Sequence, residues 1–257
     1  MPTALITGAS AGLGAEFAKQ LAARGYDVVL VARTRERLEA VAAQLRGAHG
    51  VAAHVLPADL GDADQRREVE QWLQENPVDL LVNNAGFGLN GSFTEVSAER
   101  LTEQLEVNVT AVLRLTRAAL PGMLERGSGS IINVSSFAGF FPASGAAYGA
   151  TKAWVTAFSE GLAASVAGRG VRVLALAPGF THTEFHDRAG DSSDRGPRMM
   201  WLTAERVVRE CLADLDRGKG VSVPGKRWKA LLGLVRLLPP PARRWVGAKV
   251  AAQRGRT

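Results

Sequence analysis

The sequence is poor in cysteine and histidine and contains no long apolar run. Its single cysteine, Cys211, excludes an internal disulfide and any zinc site built from several cysteines. Two of the four histidines, His182 and His186, are four positions apart, but without a third ligand they do not predict a metal site. No apolar stretch approaches the ~18–20 residues of a membrane-spanning helix, and residues 1–8 lack the basic start of a signal peptide. We therefore expect a soluble protein of the reducing cytoplasm.

Acidic residues are absent from the C-terminal segment, 226–257, which contains nine Lys or Arg residues. The whole chain has 31 basic and 25 acidic groups, and removing these nine leaves 22 basic against 25 acidic groups in residues 1–225. The net charge of +6 therefore originates in this segment. Because the main body is slightly acidic, we predict that it does not bind nucleic acid.

The first part of that segment, 226–238, alternates basic residues with apolar ones, which is typical of an amphipathic helix. Three interpretations are open. In the first, the helix packs against the main body or a sister subunit. In the second, it covers an apolar pocket, and in the third it binds peripherally to an anionic membrane. The first is favoured over the membrane contact, because a helix with apolar residues usually buries them in protein.

Short apolar runs alternate with longer helical patterns along residues 1–225. The predicted strands are Thr3–Thr7, Asp27–Ala32, Val51–Ala58, Val78–Val82, Ser130–Ser135, Val171–Ala177 and Val221–Val223. The predicted helices lie near 12–24, 35–46, 62–75, 98–126, 147–168 and 203–217. Several strands are almost continuously apolar, as expected of parallel strands covered on both faces. The order predicts an α/β fold, a doubly wound parallel sheet of about seven strands in one domain, followed by the basic extension 226–257.

A glycine-rich turn follows the first predicted strand and opens the first predicted helix. Gly8, Gly12 and Gly14 permit a tight turn and a close approach of the backbone to a pyrophosphate, and exposed amides at a helix start attract that anion. Ser10 adds a hydroxyl donor. A purely structural glycine turn is the alternative, but the strand–turn–helix context favours a dinucleotide.

The end of the second predicted strand indicates which dinucleotide binds. An acidic residue there would bind the ribose 2′-hydroxyl of NAD, whereas an arginine suits the 2′-phosphate of NADP. This chain has Ala32 followed by Arg33, so we predict NADP(H), with Arg33 on the phosphate. The alternative is a solvated start of a basic helix, which is our interpretation of Arg35 and Arg37.

Tyr148 and Lys152 are four positions apart in a helical pattern, so they project from the same face. A phenol with a pKa near ~10 is a poor acid–base catalyst at neutral pH, and a neighbouring ammonium favours the phenolate. The pair therefore predicts proton transfer. The alternative is that Tyr148 and Lys152 lie side by side on an exposed helix surface and have no catalytic role.

Several ordered motifs resemble the short-chain dehydrogenase/reductase family from Thr3 to about Thr183, with weaker agreement to about Pro224. They are the glycine turn, Asp59-Leu60, Asn83-Asn84-Ala85-Gly86, Asn108, Ser136, Tyr148 with Lys152, and Pro178-Gly179 with Thr183. The resemblance implies a Rossmann-type fold and a catalytic tetrad of Asn108, Ser136, Tyr148 and Lys152. The chain from Gly139 to Tyr148 is one residue shorter than in common members, which leaves Ser135 as the alternative to Ser136.

The residues and the resemblance together predict the cofactor site. Its members are Gly8, Ser10, Gly12, Leu13, Gly14, Arg33, Asp59, Leu60, Asn84, Ala85, Gly86, Asn108, Tyr148, Lys152, Pro178, Gly179 and Thr183. The resemblance also implies a homodimer or homotetramer formed through the helices near 98–126 and 147–168. Residues 180–202 are predicted to form a substrate lid.

The expected activity is the NADP(H)-dependent interconversion of a carbonyl and an alcohol. Six phenylalanines follow strands near the expected cleft and predict a small hydrophobic substrate. They are Phe87, Phe137, Phe140, Phe141, Phe180 and Phe185. Two alternatives are a 3-oxoacyl-thioester reductase and a non-catalytic NADP-binding sensor.

Overall fold

The alternating apolar and helical segments form a parallel sheet covered by helices on both faces. The computed structural model describes residues 1–141, 146–183, 198–237 and 239. The strands are β1 (Thr3–Thr7), β2 (Asp27–Ala32), β3 (Ala53–Pro57), β4 (Leu80–Asn83), β5 (Gly129–Val134), β6 (Val171–Leu176), β7 (Thr181–His182), β8 (Leu202–Thr203) and β9 (Val221–Ser222). The α-helices are α1 (Gly12–Ala22), α2 (Arg35–His49), α3 (Ala63–Glu75), α4 (Ala98–Leu105), α5 (Ala111–Glu125), α6 (Ala146–Ser165), α7 (Ala204–Asp216) and α8 (Lys226–Leu237).

Seven strands form the main sheet in the order β3-β2-β1-β4-β5-β6-β9, and every pair is parallel. The predicted seven-stranded, doubly wound sheet is therefore confirmed. Central residues such as Ala4, Leu5 and Ile6 have no exposed surface, because apolar clusters cover both faces of the sheet. The strand order reverses between β1 and β4, which places a crevice at the carboxyl ends of these strands.

Two features of the backbone differ from the prediction. The helix near 98–126 is not regular: α4 passes into a π-helical turn, Glu106–Thr110, before α5 begins. In addition, β7 and β8 pair with each other in a separate two-stranded parallel ladder. A strand pair of two residues each has too short a pattern to be recognised in a sequence.

The amphipathic helix predicted after residue 225 is present as α8. Trp228, Leu232 and Val235 are buried, and Trp228 and Leu232 belong to the apolar cluster on one face of the sheet. The favoured interpretation, packing against the main body, agrees with these contacts. Residues 240–257 of the predicted extension and 184–197 of the predicted lid, with His186 and Phe185, lie outside the described residues. Within the described ranges, no helix combines the length and apolarity needed to cross a membrane.

Candidate active site

The glycine turn follows β1 and leads into α1. Gly8 and Gly12 have φ angles of +65° and +56°, which favour glycine. A Cβ on Gly14 would lie 2.1 Å from the Gly8 carbonyl oxygen, so this position also needs glycine. The Thr7 hydroxyl accepts hydrogen bonds from the backbone amides of Asn84 and Ala85, each at 2.9 Å. These contacts connect the turn to the segment after β4.

A cleft of about 1130 Å³ runs along the carboxyl ends of the strands. Fifteen of the predicted cofactor residues line it: Gly8, Ser10, Gly12, Leu13, Arg33, Asp59, Leu60, Asn84, Ala85, Gly86, Tyr148, Lys152, Pro178, Gly179 and Thr183. Gly14 and Asn108 are not among the lining residues. Both are buried behind it, where Gly14 contacts Gly8 and Asn108 contacts the segment after β4.

One end of the cleft is polar and carries arginines. The guanidinium of Arg33 lies 4.0 Å from the carboxylate of Asp59, and 68% of the Arg33 side chain is exposed. Arg37 lines the same end. Our interpretation of Arg37 as part of a solvated helix start missed this role in the cleft wall. Arg37 lies in the first turn of α2, directly after the loop that contains Arg33.

Tyr148 and Lys152 project from α6 into the middle of the cleft wall, and both are buried. The ammonium nitrogen of Lys152 lies 5.9 Å from the centre of the Tyr148 ring and donates a 2.9 Å hydrogen bond to the Val134 carbonyl. Burial lowers the pKa of Lys152 to about 8. The ammonium form therefore still predominates at neutral pH, close to the phenol.

Two adjacent serines follow β5 in different environments. The Ser135 hydroxyl is buried, donates a 2.6 Å hydrogen bond to the Lys152 carbonyl and lies 2.7 Å from the Thr156 hydroxyl. Ser136 is less buried, and its hydroxyl accepts a 3.1 Å hydrogen bond from the Ala138 amide. Because the Ser136 oxygen accepts this hydrogen bond, its hydroxyl proton remains available for donation to another partner. Both residues reach the cleft wall, but Ser135 is bonded to α6.

Asn108 is fully buried in the π-helical turn and holds the backbone of Phe87. Its Oδ1 accepts from the Phe87 amide at 3.0 Å, and its Nδ2 donates to the Phe87 carbonyl at 2.9 Å. A Cβ on Gly86 would lie 2.9 Å from Asn108 Oδ1 and 3.2 Å from Lys152 Nζ. The side chain of Asn108 thus fixes the segment that separates it from the cleft, a contact that its position in the sequence does not reveal.

The other end of the cleft is apolar and aromatic. Four of the six predicted phenylalanines line it: Phe87, Phe137, Phe141 and Phe180. Phe140 packs against the neighbouring core instead. Met200, Trp228 and Leu231 also line this end. Met200 belongs to the predicted lid, 180–202, and the position of Trp228 and Leu231 agrees with the interpretation in which the helix after residue 225 covers an apolar pocket.

Known proteins share this architecture. A family model described as short chain dehydrogenase matches residues 2–194. A short-chain dehydrogenase from Sphingobium yanoikuyae, solved in complex with NADPH, is 39% identical, and the match covers 93% of this chain and 96% of that chain with a TM-score of 0.85. The bulky-bulky ketone specific alcohol dehydrogenase from Comamonas testosteroni is 34% identical, with the same coverages and a TM-score of 0.80.

A longer relative is the very-long-chain 3-oxoacyl-CoA reductase of Anas platyrhynchos. It is 34% identical over 200 residues, which are 75% of this chain and 64% of that protein. The family match spans the glycine turn, the segment after β4, both serines and the Tyr148–Lys152 pair. The chain belongs to the short chain dehydrogenase family.

Proposed function

We propose that this protein is an NADP(H)-dependent oxidoreductase that interconverts a carbonyl and an alcohol on a hydrophobic substrate. The observation that carries the proposal is the arrangement of the cleft. Ser136, Tyr148 and Lys152 line the same continuous space as the glycine turn and the arginines at its polar end. A proton donor, a cation and a dinucleotide-sized groove are thus brought together.

The described residues fit the cofactor. The positive φ angles of Gly8 and Gly12 bring the backbone close to the cleft at the start of α1, where a pyrophosphate is favoured. A Cβ on Gly12 would lie 3.3 Å from Thr183, so the turn is narrow on that side. Arg33, with Arg37 beside it, would bind the 2′-phosphate that distinguishes NADP from NAD. NADPH bound in the Sphingobium relative supports this assignment.

When bound, NADPH supplies a hydride to the carbonyl carbon, and the protein supplies orientation and the proton. Tyr148 would donate its hydroxyl proton to the carbonyl oxygen, and Ser136 would donate a hydrogen bond to the same oxygen. The Lys152 ammonium, 5.9 Å from the Tyr148 ring, stabilises the negative charge that remains on the phenol oxygen. In alcohol oxidation the same oxygen takes the proton back.

Asn108 would act without contacting the substrate. Its two hydrogen bonds to Phe87 hold the segment that passes next to Lys152 Nζ. We propose that Asn108 also connects Lys152 to solvent, through its backbone carbonyl and a water. The contacts of its side chain support a positioning role in addition to that one.

The apolar end of the cleft supports a hydrophobic ketone or secondary alcohol as substrate. The Comamonas relative, a bulky-bulky ketone specific alcohol dehydrogenase, supports the same class. A 3-oxoacyl thioester is the second candidate, because Arg100 lines the cleft near Phe87 and offers a cation to a phosphate-bearing carrier. Arg100 is also paired with Glu103, which reduces its charge toward a ligand.

The proposal includes a homodimer or homotetramer formed through the helices near 98–126, which include α4 and α5, and near 147–168, which is α6. Leu113 on α5 is 43% exposed, and Trp154 stacks on Phe158 at 4.8 Å along α6, which provides apolar surface for a second copy.

The proposal is tested by following NADPH absorbance against a panel of ketones, aldehydes and 3-oxoacyl thioesters, with NADH in parallel. We expect oxidation of NADPH with hydrophobic ketones and slower reaction with NADH. Firm NADPH binding without turnover across the whole panel would contradict the proposal and favour the non-catalytic sensor.

A further inference from the structure

The inner face of α8 forms part of the apolar end of the cleft. Trp228 and Leu231, one helical turn apart, both line it, whereas Leu234 on the next turn is 64% exposed. These residues lie beyond residues 2–194, which match the family model. The wall that α8 contributes therefore lies outside the part of the chain that the family model describes.

Trp228 is held in place from three sides. Its indole nitrogen donates a 2.9 Å hydrogen bond to the Met200 carbonyl, and its ring centre lies 4.5 Å from that of Phe137 and 5.4 Å from that of Phe180. A Cβ on Gly179 would lie 2.0 Å from the indole, so the ring packs directly on this backbone. A side chain fixed in this way presents a rigid surface to a ligand.

The position of Trp228 relative to the reacting groups gives this surface its role. Phe137 directly follows Ser136, and Gly179 directly follows Pro178, so the indole contacts both segments that border the proposed carbonyl site. The surrounding wall consists of phenyl rings, the Met200 thioether and Leu231. Such a surface binds an aryl or branched alkyl group through apolar contact.

We infer that Trp228 and Leu231 limit the size of the larger apolar substituent on the carbonyl substrate, so that α8 determines size specificity. This inference rests on the proposed function. The substrate class that follows is a ketone with one aryl or branched alkyl substituent, which contacts Trp228 and Leu231. Filling the space at Leu231 then excludes larger substituents, and trimming Trp228 admits them.

The test compares kcat/KM for 2-acetylnaphthalene and acetophenone with NADPH in the full chain. Leu231→Trp should lower the ratio of the larger to the smaller ketone by at least about tenfold, since even one methylene in an apolar pocket changes kcat/KM by about 10-fold or more. Trp228→Phe should raise the same ratio. Leu234→Trp is the matched control, with the same substitution on the exposed face, and should leave the ratio unchanged. NADPH affinity is measured for every variant.

An unchanged ratio in Leu231→Trp and Trp228→Phe, with NADPH affinity retained, would overturn the inference and leave the proposed function intact. Equal changes in Leu231→Trp and Leu234→Trp would also overturn it, because the effect would then not arise in the cleft. If the wild-type protein reduces neither ketone nor any other carbonyl while it binds NADPH, the proposed function itself fails.

Discussion

Replacing the buried Lys152 with methionine tests the electrostatics of the site without relying on a substrate. Burial lowers the pKa of Lys152 from 10.5 to about 8, with the side chain 4% exposed. A shift of this size means that keeping Lys152 charged at neutral pH lowers the free energy of unfolding by roughly 3 kcal/mol. Methionine has a similar length and no charge, so the variant avoids this cost.

The sign of the pH dependence follows from the proton balance. Between about pH 8 and pH 10.5 the unfolded chain retains the Lys152 proton and the folded protein has released it. Stability rises with pH wherever the unfolded state binds more protons. The wild type should therefore gain about 1 kcal/mol in unfolding free energy relative to Lys152→Met between about pH 7 and pH 9.

Denaturant unfolding of the cofactor-free protein at both pH values measures this difference. Lys226→Met, at an exposed position in the first turn of α8, is the control and should follow the wild type. Identical pH responses of the wild type and Lys152→Met would refute the reasoning, because burial would then not affect the lysine proton. Ketone reduction by the wild type should also slow as the pH rises through about 8, because Lys152 loses its charge there.

Four further substitutions test the remaining assignments. Ser136→Ala should lower turnover by about 10²–10³-fold, whereas Ser135→Ala should mainly lower the free energy of unfolding, by about 1 kcal/mol, through loss of its bond to α6; equal effects on turnover would contradict the choice of Ser136. Arg33→Asp should weaken NADPH binding by at least about tenfold and NADH binding far less, as measured by titration; equal losses would contradict the phosphate role. Gly179→Ala should displace Trp228 and change its fluorescence, because the new Cβ would lie 2.0 Å from the indole; an unchanged spectrum would contradict this packing.

The sheet was predictable because its information is local. Apolar runs such as Ala4-Leu5-Ile6 mark strands buried on both faces, and the glycine turn marks the start of α1. Parallel strands place their carboxyl ends at one edge, so residues that follow different strands meet in one cleft. This rule explains why most of the predicted cofactor residues line the same space.

The features that were missed or left open depend on contacts between distant residues. The π-helical turn at Glu106–Thr110 contains Asn108, whose bonds to Phe87 cross 21 positions of sequence. Trp228 reaches the cleft only because α8 folds back over Gly179. Helical periodicity predicted an apolar face on α8, but it contains no information about what that face contacts.

The central claim is that Tyr148 transfers the proton in a cleft that binds NADPH. Tyr148→Phe removes one hydroxyl and leaves the ring that packs beside Lys152. NADPH affinity and turnover of a hydrophobic ketone should be measured on the same preparation. The account predicts near-normal NADPH affinity with turnover reduced by at least about 10²-fold. Turnover close to that of the wild type would contradict it.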